Sequence, residues 1–396
     1  MKKRYAILSA LLLSALLLCA CGDAKPTVTT PQVTTTTDAN QTTKKDPTPD
    51  TPATPTKIEL NRTSNVQIYG RGKVLEKGIA CDFTNSGIAF TADCEGEVKL
   101  SVSAQSGQKN LYFTVYVDGI RKETRFCVSA GTTAELILAS ELTKGSHTFE
   151  IRRQTEMKYG YATLNSLSLT GTLGEKPSEK ALFFQFIGDS ITCGLGNLCG
   201  KNEGGSCVNT ANAHEDSIEQ DGTQTFASIC ARAMNADYEM LSYSGIGTNY
   251  SWGASYFAKN LYRTVGNNRA PAETFDFSAA RIPSAVIVNL GTNDASGYGN
   301  AGVTAEAHKA AVKELLLAIR ANVGEDTPIV WVYGMMGTNK GDVIQAAITE
   351  LGGESAKYYY YGNLTEQRKG GNGHPTVAGH KVAAEQLQAY LESILA

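Results

Sequence analysis

A serine, a histidine, an asparagine and a pair of glycines are the residues best placed by type and spacing to do chemistry together. Ser190 lies in Gly188-Asp189-Ser190-Ile191-Thr192. A hydroxyl on a tight turn, with a glycine beside it to admit close approach, is how a serine is presented as a nucleophile. Such a hydroxyl needs a base at neutral pH, and the chain has five histidines. His147 sits among polar strand residues, His214 in an acidic loop and His308 beside Glu306 and Lys309 on an amphipathic helix, so these three read as solvated. His380 falls inside the last helix as a packing or surface residue. His374 differs, because it follows Gly370-Gly371-Asn372-Gly373 and precedes Pro375, which puts an imidazole on a loop of permissive backbone. Acyl transfer also needs donors for a developing oxyanion, worth ~2.7–4 kcal/mol each. Asn293, in Gly291-Thr292-Asn293-Asp294, offers a side-chain amide. Ser244-Gly245-Ile246-Gly247 offers a glycine N–H, and Ser190 offers its own. Asp189 and Asp294 read as braces for their turns.

Three of these blocks share one property: those of Ser190, Gly245–Gly247 and Asn293 each follow a segment that reads as a strand. Leu182–Ile187 is a continuous apolar run ahead of Ser190, as a strand buried on both faces requires. Ala236–Ser242 precedes Ser244, and Ala285–Leu290 precedes Gly291. Two further strands are expected at Ile329–Tyr333 and Tyr358–Tyr361. Helical stretches around 223–232, 304–322, 342–351 and 376–395 alternate with the strands, which predicts a parallel sheet covered on both sides. Ligands of such sheets bind at the carboxyl ends of the strands, where three of the blocks fall, and His374 lies on a loop at the sheet's far end in sequence. The preceding residues follow another period. Val98, Leu100, Val102 and Ala104 alternate with Lys99, Ser101 and Ser103, and no helix-length pattern interrupts residues 58–173. An all-β sandwich of jelly-roll type over 58–173 and an α/β catalytic domain over 180–396 are therefore expected.

The start of the chain is of a third kind. Lys2, Lys3 and Arg4 precede a short apolar run, Ala6 to Leu18, so residues 1–20 read as a signal peptide. Leu18-Cys19-Ala20-Cys21-Gly22 resembles a bacterial lipobox, which implies a lipid-linked Cys21. Residues 21–57 then read as a disordered tether rich in Thr and Pro: six of the eleven prolines fall there, too many for a packed core. The expected place is the outer face of a bacterial membrane, reached through the lipid anchor alone. Seven cysteines remain beyond Cys19 and Cys21, an odd number that implies a free thiol, with Cys199 and Cys207 the expected disulfide pair. No Cys/His spacing suits zinc. A net charge of -3 gives no footing for nucleic acid.

Taken together, the blocks at Ser190, Gly247 (or Gly245), Asn293 and His374-Pro375 resemble those of the SGNH, or GDSL-type, hydrolases over roughly residues 182–396. The preceding β-domain, with Tyr69-Gly70-Arg71 and Tyr116-Val117-Asp118-Gly119, resembles that of family 2 carbohydrate esterases. The resemblance implies a three-layer SGNH-type parallel sheet behind a jelly roll. It also implies a serine esterase that removes O-acetyl groups from hemicellulose such as xylan or glucomannan through an acetyl-enzyme, as a monomer without metal or cofactor. Ser190 and His374 would be catalytic, and Ser190, Gly247 and Asn293 would hold the oxyanion, with Gly245 the second choice for Gly247. One position departs from the family: the residue three before the histidine, usually Asp, is Gly371. Asn372 or a main-chain carbonyl would then orient His374. The competing readings are a peptidoglycan O-acetylesterase, a lipase or thioesterase, and a carbohydrate-binding protein whose esterase domain is inert.

Overall fold

Period-two apolar runs can bury one face only by pairing side by side, and in the first domain they do so antiparallel. The long strand Gly87–Ala104 lies between Thr133–Arg153 and Ala162–Leu173, and Leu111–Val117 extends the sheet beyond Thr133–Arg153. The computed structural model describes residues 54–107, 109–199, 217–254, 256–266, 273–337, 339–366 and 370–396. The expected leader, Cys21, nearly all of the tether, Cys207 and His214 lie outside these residues.

Strands of 18 and 21 residues are too long to stay in one flat layer. Register shifts between Cys94 and Lys99 bend the pair, so the ten strands form one continuous ladder around a single core. Val98, Leu100 and Val102 point into that core, where the rings of Phe90 and Phe149 stack at 4.7 Å.

In the second domain five parallel strands are ordered Ala236–Ser242, Leu182–Gly188, Ala285–Asn289, Ile329–Val332, Tyr358–Tyr361. Successive side chains alternate between two cores. Val286, Val288, Ile329 and Trp331 face the helices Ala305–Val323 and Gly341–Glu350. Ala285, Ile287, Val330 and Val332 face Phe226–Ala233 and Val377–Leu395. This is the expected three-layer α/β sheet, with helix ends within a few residues of the sequence reading. Three helices went unread in the sequence: the single turn Ser190–Cys193, Ala258–Tyr262, and Thr292–Asn300, which carries Asn293 in its first turn. Strand order reverses between Leu182–Gly188 and Ala285–Asn289, so a crevice opens at their carboxyl ends. Ser190 follows the first of these strands and Asn293 the second.

Candidate active site

That crevice is a cleft of about 330 Å³ lined by Ser190, Gly245, Asn293, His374, Trp252 and Lys158, among others. Ser190 begins the one-turn helix Ser190–Cys193, capped by Asp189, whose carboxylate accepts the Ile191 N–H at 3.0 Å. The serine hydroxyl lies 2.7 Å from His374 Nε2. His374 Nδ1 lies 3.2 Å from the main-chain oxygens of both Gly371 and Asn372. Two carbonyl acceptors fix the proton on Nδ1 and leave Nε2 its lone pair, the tautomer a general base requires. Burial holds the His374 pKa below the usual imidazole value, partly opposed by the two carbonyl bonds, with Lys158 lowering it and Glu156 raising it. Asn372 meets His374 through its main-chain oxygen rather than its amide, and its backbone is left-handed, with φ 51°.

The two glycines offered for the oxyanion part company here. The Gly247 N–H donates to Ser251 Oγ at 3.1 Å, and Gly247 does not line the cleft. Gly245 does line it, with φ 86°, and its N–H meets no acceptor among the described residues. The free main-chain donor on this segment is thus Gly245, not Gly247, because the turn at 247–251 closes on the Gly247 amide. The Ser190 N–H, at the start of its helix, is likewise unpartnered among the described residues. Asn293 Nδ2 donates to Ile246 O at 2.9 Å and makes a longer contact, 3.3 Å, to Asp189 Oδ2.

Asp189 and Asp294 brace, as their positions suggested. Asp294 accepts the main-chain N–H groups of Thr248, Asn249 and Tyr250 at 2.6–3.0 Å, which ties the second strand's loop to the Asn293 helix. Burial, with the Asp294 charge nearby, pushes the Asp189 carboxyl up to about 7. Among the remaining histidines, His147 is bonded to Asp118 and Thr143. His380 is buried and accepts the Phe226 N–H, a packing role. His308, read as solvated, is fully buried beside Tyr298 and Asp294. It shares the inward helix face with Val312 and Leu315, four and seven residues on.

Sequence reasoning missed three residues. Lys158, and Glu156 beneath it, come from the β-domain, so that domain lines the cleft. Trp252, 58% exposed, stands at the rim near the Tyr250 ring. Among the described residues no group of three His, Cys, Asp or Glu could hold a metal ion. The proposed Cys199–Cys207 pair is undescribed because Cys207 lies outside the described residues.

Comparison with known proteins adds to this geometry. Residues 68–177 match the family described as Carbohydrate esterase 2 N-terminal, and residues 185–387 match GDSL-like Lipase/Acylhydrolase. Over 310 residues the chain is 29% identical to the Cellulase/esterase CelE of Acetivibrio thermocellus, an alignment spanning 74% of this chain and 35% of that protein. It is 24% identical over 345 residues to the Acetylxylan esterase / glucomannan deacetylase of Cellvibrio japonicus, spanning 84% of this chain and 89% of that one. The fold is shared with an acetyl xylan esterase from the rumen bacterium Butyrivibrio proteoclasticus, with a TM-score of 0.76 at 20% identity over 87% of this chain and 99% of the other.

Proposed function

The chain belongs to the GDSL-like lipase/acylhydrolase family, and from that premise we propose that it is a serine esterase removing O-acetyl groups from hemicellulose of the xylan or glucomannan type. The observation that carries the reading is the 2.7 Å contact between Ser190 Oγ and His374 Nε2, in a cleft that also holds the unpartnered N–H groups of Ser190 and Gly245. His374 takes the serine proton as Oγ attacks the acetyl carbonyl, and the carbonyl oxygen becomes an oxyanion. The two main-chain N–H groups and Asn293 Nδ2 stabilise it, the oxyanion competing for the amide hydrogen on the longer Asp189 contact. A fully ionised Asp189 would repel the oxyanion, and its raised pKa lessens that charge near neutral pH. His374 returns the proton to the sugar alkoxide and then activates the water that releases acetate. The exposed Trp252 ring at the rim suits the apolar face of a sugar. The named activity of the Cellvibrio japonicus relative supports this substrate class.

The test is acetate release from acetylated xylan, acetylated glucomannan and O-acetylated peptidoglycan by wild type and by Ser190→Ala. The wild type is expected to act on the first two and the variant to keep less than about 1% of that activity. No release by wild type from any of the three defeats the reading. The proposed location is the extracellular face of a bacterial cell membrane, through a lipid on Cys21. Cys21→Ser should then move the protein from the membrane fraction to the soluble one with kcat unchanged, and unaltered fractionation counts against the anchor.

A further inference from the structure

We propose that Glu156, from the β-domain, is a positioning residue that aims the Gly245 N–H at the oxyanion; the inference rests on the esterase reading above. The Glu156 side chain is fully buried. Its Oε2 accepts the Ser244 N–H at 2.7 Å and its Oε1 accepts the Ser244 hydroxyl at 2.5 Å. The same carboxylate takes the Gln220 amide at 3.3 Å and the Cys193 thiol at 3.6 Å, while Lys158 Nζ lies 3.5 Å away. One anion therefore ties the oxyanion segment to the helix that begins at Ser190.

The carboxylate is itself held by its main chain. The Glu156 N–H donates to Gln220 Oε1 at 2.9 Å, and its carbonyl accepts from the buried guanidinium of Arg153 at 2.7 Å. Gln220 in turn donates to Cys193 O at 3.1 Å. On the far side of the Gly245 amide, the Gly245 carbonyl accepts the Trp252 N–H at 2.6 Å. The peptide that presents the free N–H is thus pinned at both ends, by Glu156 through Ser244 and by Trp252. A buried carboxylate is costly to desolvate and is retained only where its acceptors are filled. Here the donors filling them include those that fix a catalytic amide. An oxyanion donor acts in the transition state, so loosening it lowers kcat while leaving KM.

The experiment compares wild type, Glu156→Gln and Ser244→Ala on a soluble acetylated xylo-oligosaccharide. It measures kcat, KM, the pH profile of kcat/KM, and the Kd of a boronic acid that forms a tetrahedral adduct on Ser190. Glu156→Gln should lower kcat by roughly 10- to 100-fold and weaken the boronate in parallel, with KM within about twofold. It should also move the acid limb of kcat/KM to lower pH, because the Glu156 charge raises the His374 pKa and the amide removes that charge. Ser244→Ala removes one of the two arms and should lower kcat by about 3- to 10-fold with the same unchanged KM. This second variant decides the matter if Glu156→Gln fails to fold. A folded variant with wild-type kcat and boronate affinity overturns the inference, as does a loss carried by KM. Absence of esterase activity in wild type would instead defeat the underlying reading.

Discussion

A base oriented by main-chain carbonyls has a different vulnerability from one oriented by a carboxylate. Both acceptors of His374 Nδ1 belong to the backbone, at Gly371 and Asn372, so removing the Asn372 side chain leaves them in place. The backbone there is left-handed, which costs a residue with a Cβ roughly 1–2 kcal/mol and glycine nothing. Asn372→Gly should therefore keep kcat within about threefold of wild type. Asn293→Ala should lower kcat by roughly 10²–10³ with little change in KM, because its amide faces charge present only in the transition state. Steady-state kinetics on one acetyl ester check both, and a hundredfold loss in folded Asn372→Gly would show that the amide side chain does the orienting. The lack of an acid at Gly371 was plain from the sequence. Which of the two replacements, the Asn372 amide or a main-chain carbonyl, orients the ring was left open there, since a carbonyl is common to every residue and leaves no trace in residue type.

The element that positions His374 is a loop stitched to the loop after Ser190. The Gly371 N–H donates to Gly196 O at 2.8 Å, the Val377 N–H donates to Asn197 O at 3.2 Å, and the Gly370 N–H closes on His374 O at 2.8 Å. Gly196 has φ +63°, and a Cβ on it would stand 2.7 Å from Gly371 O and 2.8 Å from Gly371 Cα, both backbone atoms that cannot turn aside. Gly196→Ala should push the histidine loop away from Ser190 and lower kcat by about 10²-fold, as a misplacement near 1 Å does. A folded variant with kcat unchanged would show that the loop absorbs the strain elsewhere. Strand ends were legible where a parallel strand buried on both faces writes a continuous apolar run, and the Ser190 and Asn293 blocks each follow one. The Asn293 helix was not, because Thr292–Asn300 carries two glycines and lacks an apolar stripe. Glu156 was equally silent: it lies in a polar stretch between two strands, and its partner Ser244 is 88 residues away.

Across the whole molecule, the two domains share their interiors rather than touching at a surface. From Ala53 to Ala396 the chain forms one compact unit. Phe83 and Met157 of the β-domain are fully buried in the same apolar cluster as Ile187 and Leu241 of the catalytic sheet. Polar groups cross as well. Asn85 Nδ2 donates to Gly222 O at 2.8 Å, and Arg125 donates to the carbonyls of Ile218 and Gln220 at 2.7 and 2.8 Å. The Arg152 guanidinium lies over the rings of both Tyr69 and Tyr238, 3.3 and 4.6 Å from their centroids. Arg121 pairs with the buried Asp221 at 2.7 Å. Separating the domains would expose the shared cluster of Phe83, Met157, Ile187 and Leu241 to water and exchange each of these cross-domain hydrogen bonds for one to solvent, at a net cost of about 0.5–1.5 kcal/mol per bond beyond the lost apolar burial. Domains joined by a small polar contact unfold separately, whereas a shared core with buried cross-links couples them. Calorimetry of the protein should therefore give one transition whose van't Hoff and calorimetric enthalpies agree, with esterase activity lost along the same curve. A catalytic fragment of residues 178–396 should in turn fail to fold into an active enzyme, since it would lose Glu156, Lys158, Phe83 and Met157 together. Two resolved transitions, or an active fragment, would show that the β-domain only decorates a self-sufficient catalytic fold.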